Sequence, residues 1–164
     1  MKSKSTGKSA DDYLCLNLLE KALAVRAAYK VKNTMTVYSN SKVTENEKVN
    51  SLYAMDIVQM SHSHIMFVTF KLMREKIETI KCSKAREHIN NLAKILAITE
   101  LMQDSSPNYE CGFFELGTFT YLLEAAKKLC VILRPQMIPL TEAWAMPDSV
   151  LVSAIGNSYG DIYE

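Results

Sequence analysis

His62 and His64 are the first residues in this sequence whose type could do chemistry, two positions apart in the uncharged run Ile57 to Phe70. On a helix that spacing turns the side chains about 200° apart, so one metal ion cannot take both. His64 falls on the apolar stripe of its helix and reads as a hydrogen-bonded core or interface histidine rather than a catalytic base. Asp56 falls on the same stripe, where a lone carboxylate costs on the order of several kcal/mol unless it is partnered. It is expected to bond a neighbouring helix end or a basic side chain; a subunit contact or pocket is the sharper alternative. Glu100 and Asp104 stand four residues apart, a spacing that reads as a solvated face. No E-x-x-H pair accompanies them to build a di-iron bundle. Cys15, Cys82, Cys111 and Cys130 form no C-x-x-C pair and are expected to be small buried residues. There is no G-x-S-x-G elbow, phosphate-binding loop or G-x-G-x-x-G turn. Catalytic, cofactor-binding and metal residues are therefore all expected to be none.

Elements that could position such groups are helical. The chain has 164 residues, a formal charge of +1 and 48% apolar residues, enough for one core and without the basic excess that marks nucleic-acid binding. Five glycines and four prolines against nine methionines disfavour a turn-rich sandwich or barrel. The methionines Met55, Met60, Met66, Met73 and Met102 read as core gap-fillers.

Residues 1–10, with three lysines and no apolar core for a secretory signal, are expected to be a flexible basic tail ahead of one domain over 11–164. Asp11 or Asp12 is placed as cap of a first helix carrying Leu14, Leu18, Leu19, Ala22, Leu23 and Val25, which runs to about Val31. Asn33 to Lys42 is β-branched and serine-rich, so a connector is expected there. Thr44 and Glu47 form a capping box that starts a long second helix, with Val49, Leu52, Tyr53, Ile57, Met60, His64, Phe67, Val68 and Leu72 as its buried stripe. A third helix, with Ser83 placed as its cap, ends before Pro107, and an ordered loop follows, pinned by Tyr109, Phe113 and Phe114. The fourth helix starts at Thr118 and is kinked or restarted at Pro135 and Pro139. A short helix, Asp148 to Ile155, closes the pattern at Gly156. The fold class is all-α: a bundle of four main helices plus a short C-terminal helix. No run reaches the roughly 20 apolar residues of a membrane span.

Two stretches resemble a known family. DIVQMSHSHIMFVTFKL (residues 56–72), through Asp56, Ser61, His64, Phe67, Val68 and Lys71, and VLVSAIGNSYGDIYE (150–164), through Gly156, Gly160, Ile162, Tyr163 and Glu164, resemble the C-terminal helical domain of the acyl-CoA oxidases. The segment from Thr118 through RPQMIPLTEAWAMPDSVLVSAIG is similar to the family's approach to that last turn, and the resemblance covers residues 13–164. Three departures stand out: Tyr159 precedes Gly160 where the family carries aspartate, Pro135 interrupts a continuous helix, and no S-K-L-type address follows Glu164.

The resemblance implies a dimeric, FAD-dependent enzyme of peroxisomal fatty-acid β-oxidation that turns acyl-CoA and oxygen into trans-2-enoyl-CoA and hydrogen peroxide. The flavin-contacting residues and the catalytic glutamate belong to earlier domains of that family, so no catalytic or cofactor residue carries over onto this chain. The implied role is a non-catalytic scaffold or dimerisation part, with FAD only in the full-length family. The implied partners are the remainder of an oxidase subunit and a second subunit, with acyl-CoA as substrate only in that context and no nucleic acid or membrane span. The implied location is the peroxisome, and otherwise the cytoplasm if the chain acts apart from that family context. The alternative is a stand-alone helical protein-interaction module.

Overall fold

The computed structural model describes residues 4–147 and 150. Its helices are α1 (Leu16–Asn40), α2 (Glu45–Glu47), α3 (Ala54–Glu78), α4 (Ser83–Gln103), α5 (Ser106–Glu110), α6 (Thr118–Leu133) and α7 (Met137–Glu142), and no strand occurs among the described residues. The protein is all-α, and α1, α3, α4 and α6 are the four long members. The short helix expected over 148–155 lies outside the described residues.

α1 packs along α3 and α4 along α6, while α4 also touches α1 and α3. Leu18, Leu19, Ala22, Leu23 and Val25 of α1 are buried as their spacing predicts. They meet Phe70 and Ile77 of α3, Ala93, Ala97, Ile98 and Leu101 of α4, and Leu122, Ala125 and Leu129 of α6 in one core.

The start of α1 differs from expectation. Neither Asp11 nor Asp12 caps it: the N-cap is Cys15, preceded by a 3-10 turn over Asp12–Leu14. Asp12 instead turns back to accept from the Lys8 N–H and the Ser9 hydroxyl, and these bonds hold its carboxyl below the usual carboxylate range. Residues 4–10, the described part of the expected tail, lie on the bundle. Ser5 donates its N–H to the Phe113 carbonyl, Ala10 is buried, and Gly7 sits so close to the Tyr13 ring that a Cβ there would fall 2.6 Å from it. Tyr13, Phe113 and Phe114 are all buried; the Tyr13 and Phe114 rings meet edge to face at 6.2 Å. The loop expected at 105–117 is pinned by these aromatics and also contains α5, with Pro107 in its first turn.

The connector expected at Asn33 to Lys42 is instead the last part of α1, which continues to Asn40. β-Branched residues lower helix propensity by only tenths of a kcal/mol each, roughly, and tertiary contacts override that cost. Thr34 is buried, and the Tyr38 ring packs on Tyr53 at 5.9 Å while its hydroxyl donates to Glu45. The Thr44/Glu47 capping box is present. The helix it starts is not continuous, because a π-helical turn over Lys48–Leu52 separates α2 from α3.

On α3 the buried stripe also differs. Ser63, Phe70 and Ile77 are buried and Tyr53, Ile57, Met60 and Phe67 half-buried, whereas Val49, Leu52, His64, Val68 and Leu72 face outward. The π turn adds a residue to the helical count and rotates what precedes it, and Ser63 is small enough for close helix approach. Met55 is likewise exposed rather than a core filler. On α6 the inward set is Thr118, Leu122, Ala125, Leu129 and Leu133, so Leu123 and Ile132 point out. Beyond it a 3-10 turn over Arg134–Gln136 carries Pro135, and the chain restarts as α7, as the prolines predict.

Two measurements test this packing. Phe113→Ala should lower stability by about 3–5 kcal/mol through loss of a fully buried ring, read by urea unfolding followed by far-UV circular dichroism. The Thr44 N–H and hydroxyl both donate to Glu47, which lowers its pKa from the usual 4.5. A depressed carboxyl stabilises above its unfolded value and loses that contribution as pH falls through its folded value. The gap in melting temperature between wild type and Glu47→Gln should therefore be constant near neutrality and close below about pH 4.5.

Candidate functional site

The densest group of charges is built at the C-terminal end of α4. Arg26 occupies a position in the apolar stripe of α1, three residues after Leu23, and is only 1% exposed. Its Nη1 donates to the Glu100 carbonyl at 2.6 Å and Nη2 to the Glu100 carboxylate at 3.4 Å. That carbonyl also accepts the N–H of Asp104, the C-cap of α4, at 3.3 Å, and a cation there suits the negative end of the helix dipole. Asp104 lies 4.0 Å from Arg26 Nη1 and binds Lys30 Nζ at 2.6 Å. Glu100 and Asp104 are thus one half of a four-charge cluster, not a solvated face. The Arg26 Nε is buried without a side-chain or backbone acceptor. Sequence reasoning missed Arg26, although a guanidinium inside an otherwise apolar i, i+3, i+4 stripe is a readable signal.

Two open grooves flank this cluster. One, of about 410 Å³, is lined by Lys30, Val58, Gln59, His62, Gln103 and Asp104. The other, of about 290 Å³, lies between α1, α3 and α5 and includes Tyr29, Asn33, Asp56, Ser106 and Glu110. Tyr29 donates its hydroxyl to Glu110 at 3.0 Å. Asp56 therefore borders a groove, and it is exposed rather than on the buried stripe. His64 is exposed too, so it is not a core histidine. His62 and His64 diverge around α3 as their spacing requires. Cys15, Cys82 and Cys130 are exposed and Cys111 half-buried, all with free thiols, contrary to the expected buried set. Cys15 and Cys82 are the N-caps of α1 and α4, Cys82 taking the place expected of Ser83, which is the first residue inside α4, and Cys130 is on the outward side of α6, where no core position claims it. Among the described residues no three His, Cys, Asp or Glu side chains converge as metal ligands, and no helix is long and apolar enough to cross a membrane.

The larger surface feature is apolar. Met55, Val58, Ile65 and Leu72 of α3, Val131 and Ile132 of α6, and Trp144 are exposed large side chains. Scattered exposed apolar residues are ordinary, but runs along two helices mark a contact surface.

Known proteins carry the same helical arrangement. The acyl-CoA oxidase family model matches residues 15–164, so this chain belongs to the acyl-CoA oxidase family. Its relatives include peroxisomal acyl-coenzyme A oxidase 1 of Bos taurus, 25% identical over 146 residues that make up 89% of this chain and 22% of the relative. The Mus musculus protein of the same name is 25% identical over 157 residues, 93% of this chain and 23% of the relative. Among solved structures, Arabidopsis thaliana acyl-CoA oxidase 1 superposes with a TM-score of 0.88 at 19% identity, over 99% of this chain and 24% of that one. An acyl-CoA oxidase from Lycopersicon esculentum (tomato) gives 0.88 at 20% identity, over 99% and 25%. The chain spans about a quarter of the length of the proteins it matches.

Replacing Arg26 by alanine strands the Glu100 carboxylate in a largely dry site and leaves the Glu100 carbonyl only the Asp104 N–H. The expected loss is about 3–5 kcal/mol, measured by urea unfolding, with Arg26→Lys losing less because one of the two contacts can be kept.

Proposed function

We propose that this chain is the C-terminal helical part of an acyl-CoA oxidase subunit acting in peroxisomal fatty-acid β-oxidation, and that it serves there as scaffold and subunit contact rather than as the site of chemistry. The observation that carries this reading is the match of nearly the whole chain to only a quarter of each oxidase, together with outward apolar runs that nothing in the described residues covers.

The complete reaction oxidises an acyl-CoA to a trans-2-enoyl-CoA and passes the electrons to oxygen through FAD, giving hydrogen peroxide. FAD supplies the hydride acceptor when bound in such an enzyme, but the grooves formed by the described residues do not fit it. The two grooves beside the charge cluster are open and hold about 410 and 290 Å³; Lys30 lines both but is already paired with Asp104, and Asp56 and Glu110 add negative charge that repels a diphosphate. Neither groove contains a glycine whose missing Cβ would let the backbone cradle phosphates. The flavin, the acyl-CoA and the proton-abstracting base therefore belong to the remainder of the subunit, and a second subunit completes the dimer.

The test is direct. The purified chain, incubated with FAD and a long-chain acyl-CoA, should retain no flavin absorbance after desalting and form no peroxide above background. Sustained peroxide formation would overturn the non-catalytic assignment.

A further inference from the structure

α3 carries a second apolar stripe on the side opposite the core. Met55, Val58, Ile65 and Leu72, with the uncharged polar residues His62 and Thr69 between them, form a line at intervals of three, four, three, four and three residues. This is the a/d spacing of a helix that packs against another helix, knob into hole. The stripe is fully outward: Val58 is 62% exposed, Ile65 59% and Leu72 55%. It extends about 25 Å along the helix at 1.5 Å per residue. Residues 57–70 hold no charged side chain, so the centre of the stripe lacks the groups that an anionic surface or nucleic acid would meet. A helix apolar on both sides is an interior helix of a larger body.

The outward run on α6 is different. Phe119, Leu123 and Val131 share one side, but Lys127 falls between them at the same spacing. On α3 the residues between the apolar ones, His62 and Thr69, carry no full charge, so this seam is not interrupted by a lysine. Beside its first half lies the groove of about 410 Å³ bordered by Val58, His62 and the end of α4, wide enough to admit side chains from a neighbouring helix.

We infer that the outward stripe of α3 is the seat of a helix from the three quarters of an acyl-CoA oxidase subunit that this chain does not span. The occupant follows from length: oxidase chains four times as long contain this same fold over 99% of its residues, so a much larger body is available to cover the stripe. This inference rests on the proposed function and adds the face and the kind of partner.

The experiment co-expresses the chain, affinity-tagged, with tomato acyl-CoA oxidase deleted of its matching quarter, and reads capture of that partner and of its flavin absorbance. The variants are Val58→Asp, Ile65→Asp and Leu72→Asp combined, and Val131→Asp with Ile132→Asp on α6 as control. All five side chains are exposed, so helicity and melting temperature of the isolated variants should stay at wild-type values; Ile65→Asp alone serves if the triple change alters them. Wild type and the α6 variant should capture the partner, and the α3 variants should capture roughly tenfold less or below. Equal capture by the α3 variants overturns the inference and leaves the proposed function standing. Failure of the wild type, when the tomato quarter supplied in trans is captured, overturns both. A wild-type dimer in sedimentation equilibrium that the α3 variants abolish, with capture unchanged, assigns the stripe to a second copy and also overturns the inference.

Discussion

A helix can hide only one side in a two-layer bundle, and α3 is apolar on two. Its inner side supplies Phe67, Phe70 and Ile77 to the core beneath α1 and α4. Its outer side repeats the same kind of spacing with Val58, Ile65 and Leu72 in water. Burial of apolar surface contributes roughly 25 cal/mol per Å², so uncovered surface of this kind is a standing drive towards association. The chain's place as a quarter of its relatives and the layout of its faces therefore express one constraint: among the described residues the bundle is closed on the inside and uncovered along α3.

What keeps the bundle in register without that cover is polar as well as apolar. Arg26 holds α1 to the last turn of α4, Glu20 of α1 pairs with Arg74 of α3, and Lys128 of α6 pairs with Asp11 ahead of α1. These links differ in worth. Lys128 and Asp11 are largely exposed, and such pairs contribute little. Arg26 is dry, fixed to a backbone carbonyl as well as a carboxylate, and costly to orphan. It fixes the level along α1 at which α4 stops. α1 then runs on for ten more residues, Val31 to Asn40, about 15 Å beyond that level.

Much of this was readable from the residues. The inward stripe of α1 follows from its spacing, the capping box at Thr44 and Glu47 from a four-residue signature, and the break after α6 from two prolines. On α3 the limit is that periodicity reports apolar sides without saying which one faces the core. On α3 the count favoured the line through His64, Val68 and Leu72, and the core took the line through Ser63 and Phe70 because a small residue permits close packing. Asn33 to Lys42 reads as a connector by propensity, yet the contacts of Tyr38 with Tyr53 and Glu45 outweigh so small a preference. Only half of the charge cluster is legible locally: Glu100 and Asp104 stand four residues apart, but their cations lie 74 residues away on α1, a separation that no local pattern bridges.

The overhanging end of the α1–α3 hairpin shows how an uncovered surface stays ordered. Without α4 beside it, a two-helix tip is only marginally stable in water. Here it is fastened from within. Lys48 is buried at the π turn, reaches Glu45 at 2.9 Å, and lies 4.9 Å from the centre of the Tyr38 ring. Glu45 is the meeting point: the ammonium and the Tyr38 hydroxyl both bond its carboxylate, drawing its pKa down and raising that of the tyrosine. The π turn over Lys48–Leu52 starts at the lysine that lies against the ring and leads directly into α3. Met55 and Val58 are thereby presented on a helix already formed, so a partner helix meets a rigid seam, and the ordering cost that weakens coupled folding and binding falls on folding of this chain and not on its assembly.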